Sequence, residues 1–102
     1  MPSPKTVLNK EQLRYLRGMC HHLNPVVMIA GKGMTENVTQ ELEIALNHHE
    51  LIKVKLRVER DERKTLIAAI GTQFEAELVQ SIGQTACFFK RNVKDPKIAL
   101  PK

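Results

Sequence analysis

Residues 51–59, LIKVKLRVE, constrain the fold more than any other stretch, because Ile52, Val54, Leu56 and Val58 alternate with Lys53, Lys55, Arg57 and Glu59. A period of two puts the aliphatic set on one face of a strand and the charged set on the other. Such a strand must lay its apolar face on a core, and the neighbouring segments say what covers it. On the N-terminal side, Thr35 followed by Glu36 starts a helix with Val38, Leu42, Ala45, Leu46 and His49 on one face and His48 and His49 near its negative end. On the C-terminal side, Asp61 or Glu62 opens a third helix running through Leu66, Ile67, Ala69 and Ile70 to Phe74, with Gly71 a weak point inside it.

Further strands flank these helices. Val26, Val27, Met28 and Ile29 form an apolar run suited to a buried strand, and Leu78 to Ile82 and Thr85 to Phe89 read as a hairpin joined at Gly83-Gln84. The first helix lies in LNKEQLRYLRGMCHHL, where Asn9 caps, Gln12 follows in the capping-box position and Leu8 can staple to Leu13. Leu13, Leu16, Cys20 and Leu23 make its apolar stripe, while Lys10, Arg14, Arg17 and His21 make a basic one. Asn24-Pro25 ends it, since proline cannot continue the ladder. The opening MPSPKTV reads as a weakly constrained arm, and the tail RNVKDPKIALPK shows little periodicity.

The order is therefore α-βαβαββ, an α/β chain with a four-stranded mixed sheet. Right-handed strand-helix-strand crossovers place the second and third helices on one side of it. We expect a two-layer sandwich in which Lys53, Lys55 and Arg57 line an open sheet face. The 102 residues suffice for a single domain, spanning 1–102, with one core and no staples. Cys20 and Cys87 are then not a framework. No apolar run approaches a membrane span or a secretory signal, so the expectation is a cytoplasmic protein with no membrane partner.

Charge narrows the choice of partner. Sixteen Lys and Arg against eleven Asp and Glu give a net charge of +5, which favours an anionic partner. Acids concentrate in the second and third helices, whereas bases fall in the first helix, the glycine loop, one strand and the C-terminal end. Aromatic residues are few, Tyr15, Phe74, Phe88 and Phe89, which argues against several base-stacking platforms.

The loop AGKGMT, residues 30–35, joins the VVMI strand to the second helix and offers an anion glycines for close approach, a lysine and helix-start amides. A nucleotide P-loop needs Gly-Lys followed by Ser or Thr, but here Lys32 precedes Gly33 and the loop is too short to wrap a triphosphate. Two readings remain open for the loop alone: a clamp on a phosphodiester backbone, or a plain strand-to-helix turn. Three separate basic elements in one small chain favour nucleic acid. Cys20, His21 and His22 point about 100° apart on a helix and cannot converge on a metal. No metal, cofactor, small-molecule substrate or catalytic set is expected, and we read the chain as a non-enzyme.

The run NPVVMIAGKGMTENVTQELEIAL, followed by HHELIKVK and later by SIGQTACFFKR, resembles the CRM family (chloroplast RNA splicing and ribosome maturation), above all its stand-alone bacterial YhbY-like members. The resemblance extends from Leu8 to Pro101. It implies an RNA-binding domain similar to the C-terminal domain of translation initiation factor three. It also implies association with precursors of the large ribosomal subunit, as in bacterial members, whereas plant relatives act in group II intron splicing. The family's GxxG loop falls on Ala30, Gly31, Lys32 and Gly33, with alanine in place of the first glycine. Where relatives often carry Lys after Ile-Gly and a Tyr-Arg pair, this chain has Gln84 and Phe89-Lys90.

The expected partner is structured ribosomal RNA, bound by a protein that is a monomer when free. Gly31, Lys32, Gly33, Met34 and Thr35 are the expected phosphate clamp. Lys10, Arg14 and Arg17 would flank it if the first helix packs beside the loop. Lys53, Lys55 and Arg57 extend it across the sheet, and Lys90 and Arg91 keep charge near the late motif. Alternatives are an Alba-like architectural binder of duplex nucleic acid and a protein-interaction module docking on ribosomal partners.

Overall fold

The structure, a computed structural model, describes residues 8–101, and the arm expected over residues 1–7 lies outside the described residues. Among these the elements are α1 (Lys10–Cys20), β1 (Val27–Ile29), α2 (Glu36–His49), β2 (Leu51–Leu56), α3 (Arg60–Phe74), β3 (Glu77–Ile82) and β4 (Thr85–Phe89). β1 pairs with β2 in parallel, and β4 lies antiparallel between β2 and β3, so the sheet runs β1-β2-β4-β3. The expected mixed sheet is present, with β1, β2 and β3 pointing the same way.

Helix starts follow local chemistry. Asn9 Oδ1 accepts from the Gln12 amide at 2.8 Å, and Gln12 Oε1 accepts from the Asn9 amide at 3.0 Å, a reciprocal capping box. Thr35 Oγ1 accepts from the Val38 amide at 3.2 Å. α3 starts at Arg60, ahead of the expected Asp61 or Glu62, and its N-cap Glu59 makes no side-chain cap bond. Asp61 and Glu62 in the first turn answer the dipole there instead of a cap.

On one face of the sheet, Ile29, Ile52, Val54 and Phe88 meet Leu42 and Leu46 of α2 and Leu66 and Ile70 of α3. Sheet and paired helices form the two expected layers. The reverse face is not wholly open, however. There α1 lays Leu16 and Cys20 against Leu51, Val79, Cys87 and Phe89, and Ile98 of the tail joins the cluster. The physical reason is the apolar stripe of α1, which requires a partner surface and finds it over β2, β4 and β3.

That cover stops short of β1. Val27 and Ile29 are buried, but Val26 and Met28 are about half exposed, at 50% and 53%. The buried strand expected at VVMI is thus an edge strand with one face uncovered. Cys20 and Cys87 are free and buried under α1. Their shared hydrogen bond, together with burial, pushes the Cys20 thiol up and keeps it from ionising.

Periodicity alone does not flag Glu50, which is fully buried at φ 60°, just past the last turn of α2. Its carboxylate accepts from the amides of Asn92 and Lys97, each at 2.6 Å, from Ile98 at 2.8 Å, and from the Arg91 guanidinium at 3.3 Å. Arg91 also donates to the Ile98 carbonyl at 2.6 Å and lies over the Phe89 ring at 5.9 Å. Burial pushes the Glu50 carboxyl up, but the three amides and Arg91 outweigh it and hold the group below the usual carboxylate range. A tail without periodicity thereby acquires a fixed course.

Glu50→Gln should cost about 3 kcal/mol, since buried donors lose their charged acceptor, as measured by urea denaturation with loss of amide protection at Lys97 and Ile98. The folded-state pKa lies below the unfolded one, so this stability is complete above the ordinary value of 4.5 and drains away as pH falls from there through the folded-state value. Denaturation midpoints plotted against pH should lose that acid limb in the variant.

Candidate nucleic-acid interface

Because β1, β2 and β3 share a direction, the segments that follow them gather at one end of the sheet: the glycine loop, Arg57 with the start of α3, and the Gly83-Gln84 turn. The Arg57 amide donates to the Ile29 carbonyl at 2.8 Å and the Leu56 amide to the Gln84 carbonyl at 2.6 Å. Open α/β sheets present ligand sites at this carboxyl end of parallel strands.

The loop is a turn closed by the Gly33 amide on the Ala30 carbonyl at 2.8 Å, with Gly31 and Lys32 at its exposed tip. Gly33 lies at φ +67°, in the left-handed region where a side chain is strained. Gly31 has no such φ, and a Cβ there would meet nothing within 4 Å. Ala30 also keeps out of the positive-φ region, so the backbone does not require glycine at that position.

Four amides at the start of α2 lack helical partners by construction. Thr35 donates to the Gly33 carbonyl at 3.0 Å and Val38 to Thr35 Oγ1 at 3.2 Å, which leaves Glu36 and Asn37 as the unshared donors of the turn among the described residues. Glu36 is the acid of that first turn, against Asp61 and Glu62 in α3. The α2 start is therefore the better anion end of the two.

The structure brings only part of the expected basic set to this end. Lys32 and Arg57 stand there, and Met34 and Thr35 lead from the loop into α2. Lys55 follows along the uncovered sheet face, in register with Met28, and Lys53 lies farther from the loop on the same face. Lys10 and Arg14 are exposed on α1, which packs chiefly on β3 and β2. Arg17 Nε donates to the Val79 carbonyl at 3.2 Å, pinning α1 to β3. Lys90 and Arg91 belong to the opposite end, where the Lys90 amide donates to the Glu50 carbonyl at 2.8 Å and the Arg91 side chain is committed to Glu50 and Ile98.

Sequence reasoning passed over Arg60, an exposed cation that opens α3 at the loop end. Its spacing of three from Arg57 was the available signal. It also passed over Met28 and Val26, whose exposure follows from the edge position of β1. Among the described residues no group of three or more His, Cys, Asp or Glu is placed to hold a metal ion, and no helix is long and apolar enough to cross a membrane.

Comparison with known proteins agrees with this architecture. The CRS1 / YhbY (CRM) domain matches residues 8–90. The chain belongs to this family. A Haemophilus influenzae protein named "RNA-binding protein" is 45% identical over 98 residues, covering 95% of this chain and 98% of that one. Pseudomonas aeruginosa PA4753, whose name also describes RNA binding, is 47% identical over 91 residues, covering 88% of each chain. The solution structure of SAV1595 from Staphylococcus aureus superposes with a TM-score of 0.78 at 31% identity, covering 93% of this chain and all of that one. This CRM loop keeps its turn with a single left-handed glycine, Gly33.

The two loop glycines should separate in stability measurements. Gly33→Ala should lose about 1 kcal/mol through its left-handed φ, while Gly31→Ala should stay within roughly 0.5 kcal/mol of the parent. Thermal and urea unfolding of the two variants side by side checks this.

Proposed function

We propose that this CRM protein is a non-enzymatic, cytoplasmic RNA-binding module, acting as one unit, that grips the phosphate backbone of structured ribosomal RNA during maturation of the large subunit. The observation carrying this reading is the meeting, at one end of the sheet, of the exposed Lys32, the unshared amides of Glu36 and Asn37, and Arg57. Relatives named for RNA binding support the ligand class. The ribosomal target follows from the family resemblance.

Each component has a separate task in this scheme. Gly31 lets the loop tip approach a phosphate that a side chain would hold away, and its open surroundings mean that the fold itself does not require glycine there. Lys32 supplies charge, and the α2 amides supply oriented donors. Lys55 and Lys53 continue the cationic track, while Lys10 and Arg14 form a separate margin on α1. Arg17 and Arg91 contribute mainly through the bonds that hold α1 and the tail. With phosphate-directed groups predominating, recognition is of RNA shape more than base sequence.

Lys32→Glu should weaken binding to a large-subunit precursor RNA fragment without lowering the unfolding midpoint. The log-log salt dependence should flatten by about 0.7 to 0.9 for each phosphate that the variant no longer neutralises. Filter binding over a salt series measures both, and unchanged affinity and slope would take the loop out of the interface.

A further inference from the structure

At the opposite end of the sheet, a cavity of about 500 Å³ opens between the last turn of α1, the end of α2, the start of β2 and the tail. Its size lies within the range of small-ligand pockets. Met19, Leu23, Leu51 and Ile98 give it an apolar floor. Around that floor stand His22, His48, His49, Lys53 and Lys97, and no carboxylate lines it. The three imidazoles are exposed, with the His48 and His49 rings tilted at 41° and their centroids 6.0 Å apart, so they offer separate faces and not one stacked pair. Lys97 is shared with Asp95 at 2.5 Å, whereas no hydrogen bond or ion pair occupies the Lys53 ammonium among the described residues.

We propose that this cavity receives a single unstacked RNA nucleotide, its base laid on the apolar floor against an imidazole and its phosphate held by Lys53 and Lys97. The inference rests on the RNA-binding reading and extends it to a second point on the surface. An anion alone would use the cations and waste the floor, and an apolar ligand would leave the Lys53 ammonium without a partner. A nucleotide uses both, since unpaired bases stack on histidine and arginine planes in single-stranded recognition. The position suits a continuous path. β2 spans Leu51–Leu56, so the cavity lies roughly 15–20 Å from the loop end. Lys55 and Met28, then Lys53 and Val26, fill the face between them. The Glu50 carboxylate fixes the wall, because the amides of Lys97 and Ile98 both donate to it.

The test uses the full chain with methyl-labelled side chains, titrated at low salt with adenosine 5′-monophosphate and, separately, with inorganic phosphate. The nucleotide should move the methyl signals of Met19, Leu23 and Val26 saturably, and phosphate should not reproduce the pattern. Substituting exposed imidazoles, His22→Ala and His49→Ala, should weaken that binding about tenfold, the scale of removing one base stack, with unfolding unchanged. Cavity methyls unmoved by the nucleotide, or moved equally by phosphate, would overturn the proposal. If Lys32→Glu abolishes RNA binding while the cavity stays silent toward the nucleotide, the loop reading stands and this inference alone falls.

Discussion

The buried carboxylate of Glu50 is the constraint on which the rest of the molecule depends. Its residue ends α2 at a positive φ and lets β2 begin at once at Leu51, while the carboxylate collects the amides of Asn92, Lys97 and Ile98 with the Arg91 guanidinium. A buried charge is costly unless its lone pairs are filled, and here the chain fills them with its own C-terminal segment. Order in that segment therefore does not come from an apolar period of its own. It comes from a single anion placed where the second core needs Ile98.

Backbone polarity is handled in opposite ways at the two ends of the sheet. At the Glu50 end, every buried side-chain polar atom among the described residues has a hydrogen-bond partner, and the geometry is closed by charge-assisted bonds. At the loop end, two helix-start amides stay unshared, Lys32 projects into solvent and Gly31 has empty space beside it. Unmet donors on a rigid scaffold cost little while water reaches them, and they stay available to an anion that displaces it. Closure at one end gives the other a fixed frame.

Much of this was legible in the sequence because local and global preferences agree. The alternation through Ile52, Val54 and Leu56, the caps at Asn9 and Thr35, and the Gly83-Gln84 hairpin all appear where their chemistry puts them. What escaped depends on distant parts of the chain. Whether VVMI is central or at an edge is decided by the sheet order, which the residues themselves do not encode, so Met28 reads as core and proves half exposed. Arg17 and Arg91 look like free cations until the carbonyl of Val79 and the carboxylate of Glu50 are in place to receive them. Arg57 joins the loop only through the parallel pairing of β1 with β2.

The uncovered strip beside β1 shows how one surface can be apolar and still selective. β1 has only Val27–Ile29 in its ladder, too little edge to recruit another strand firmly. Its exposed Val26 and Met28 stand beside Lys53 and Lys55, so a partner that covers the aliphatic carbons must also accept two ammonium groups. A neutral peptide leaves those charges desolvated and unpaired, which is expensive. A polynucleotide has both complements, base or sugar for the carbons and phosphate for the lysines. Alternation in β2 makes that juxtaposition unavoidable: burying Ile52 and Val54 on one face forces Lys53 and Lys55 onto the other, which α1 covers at its Leu51 end.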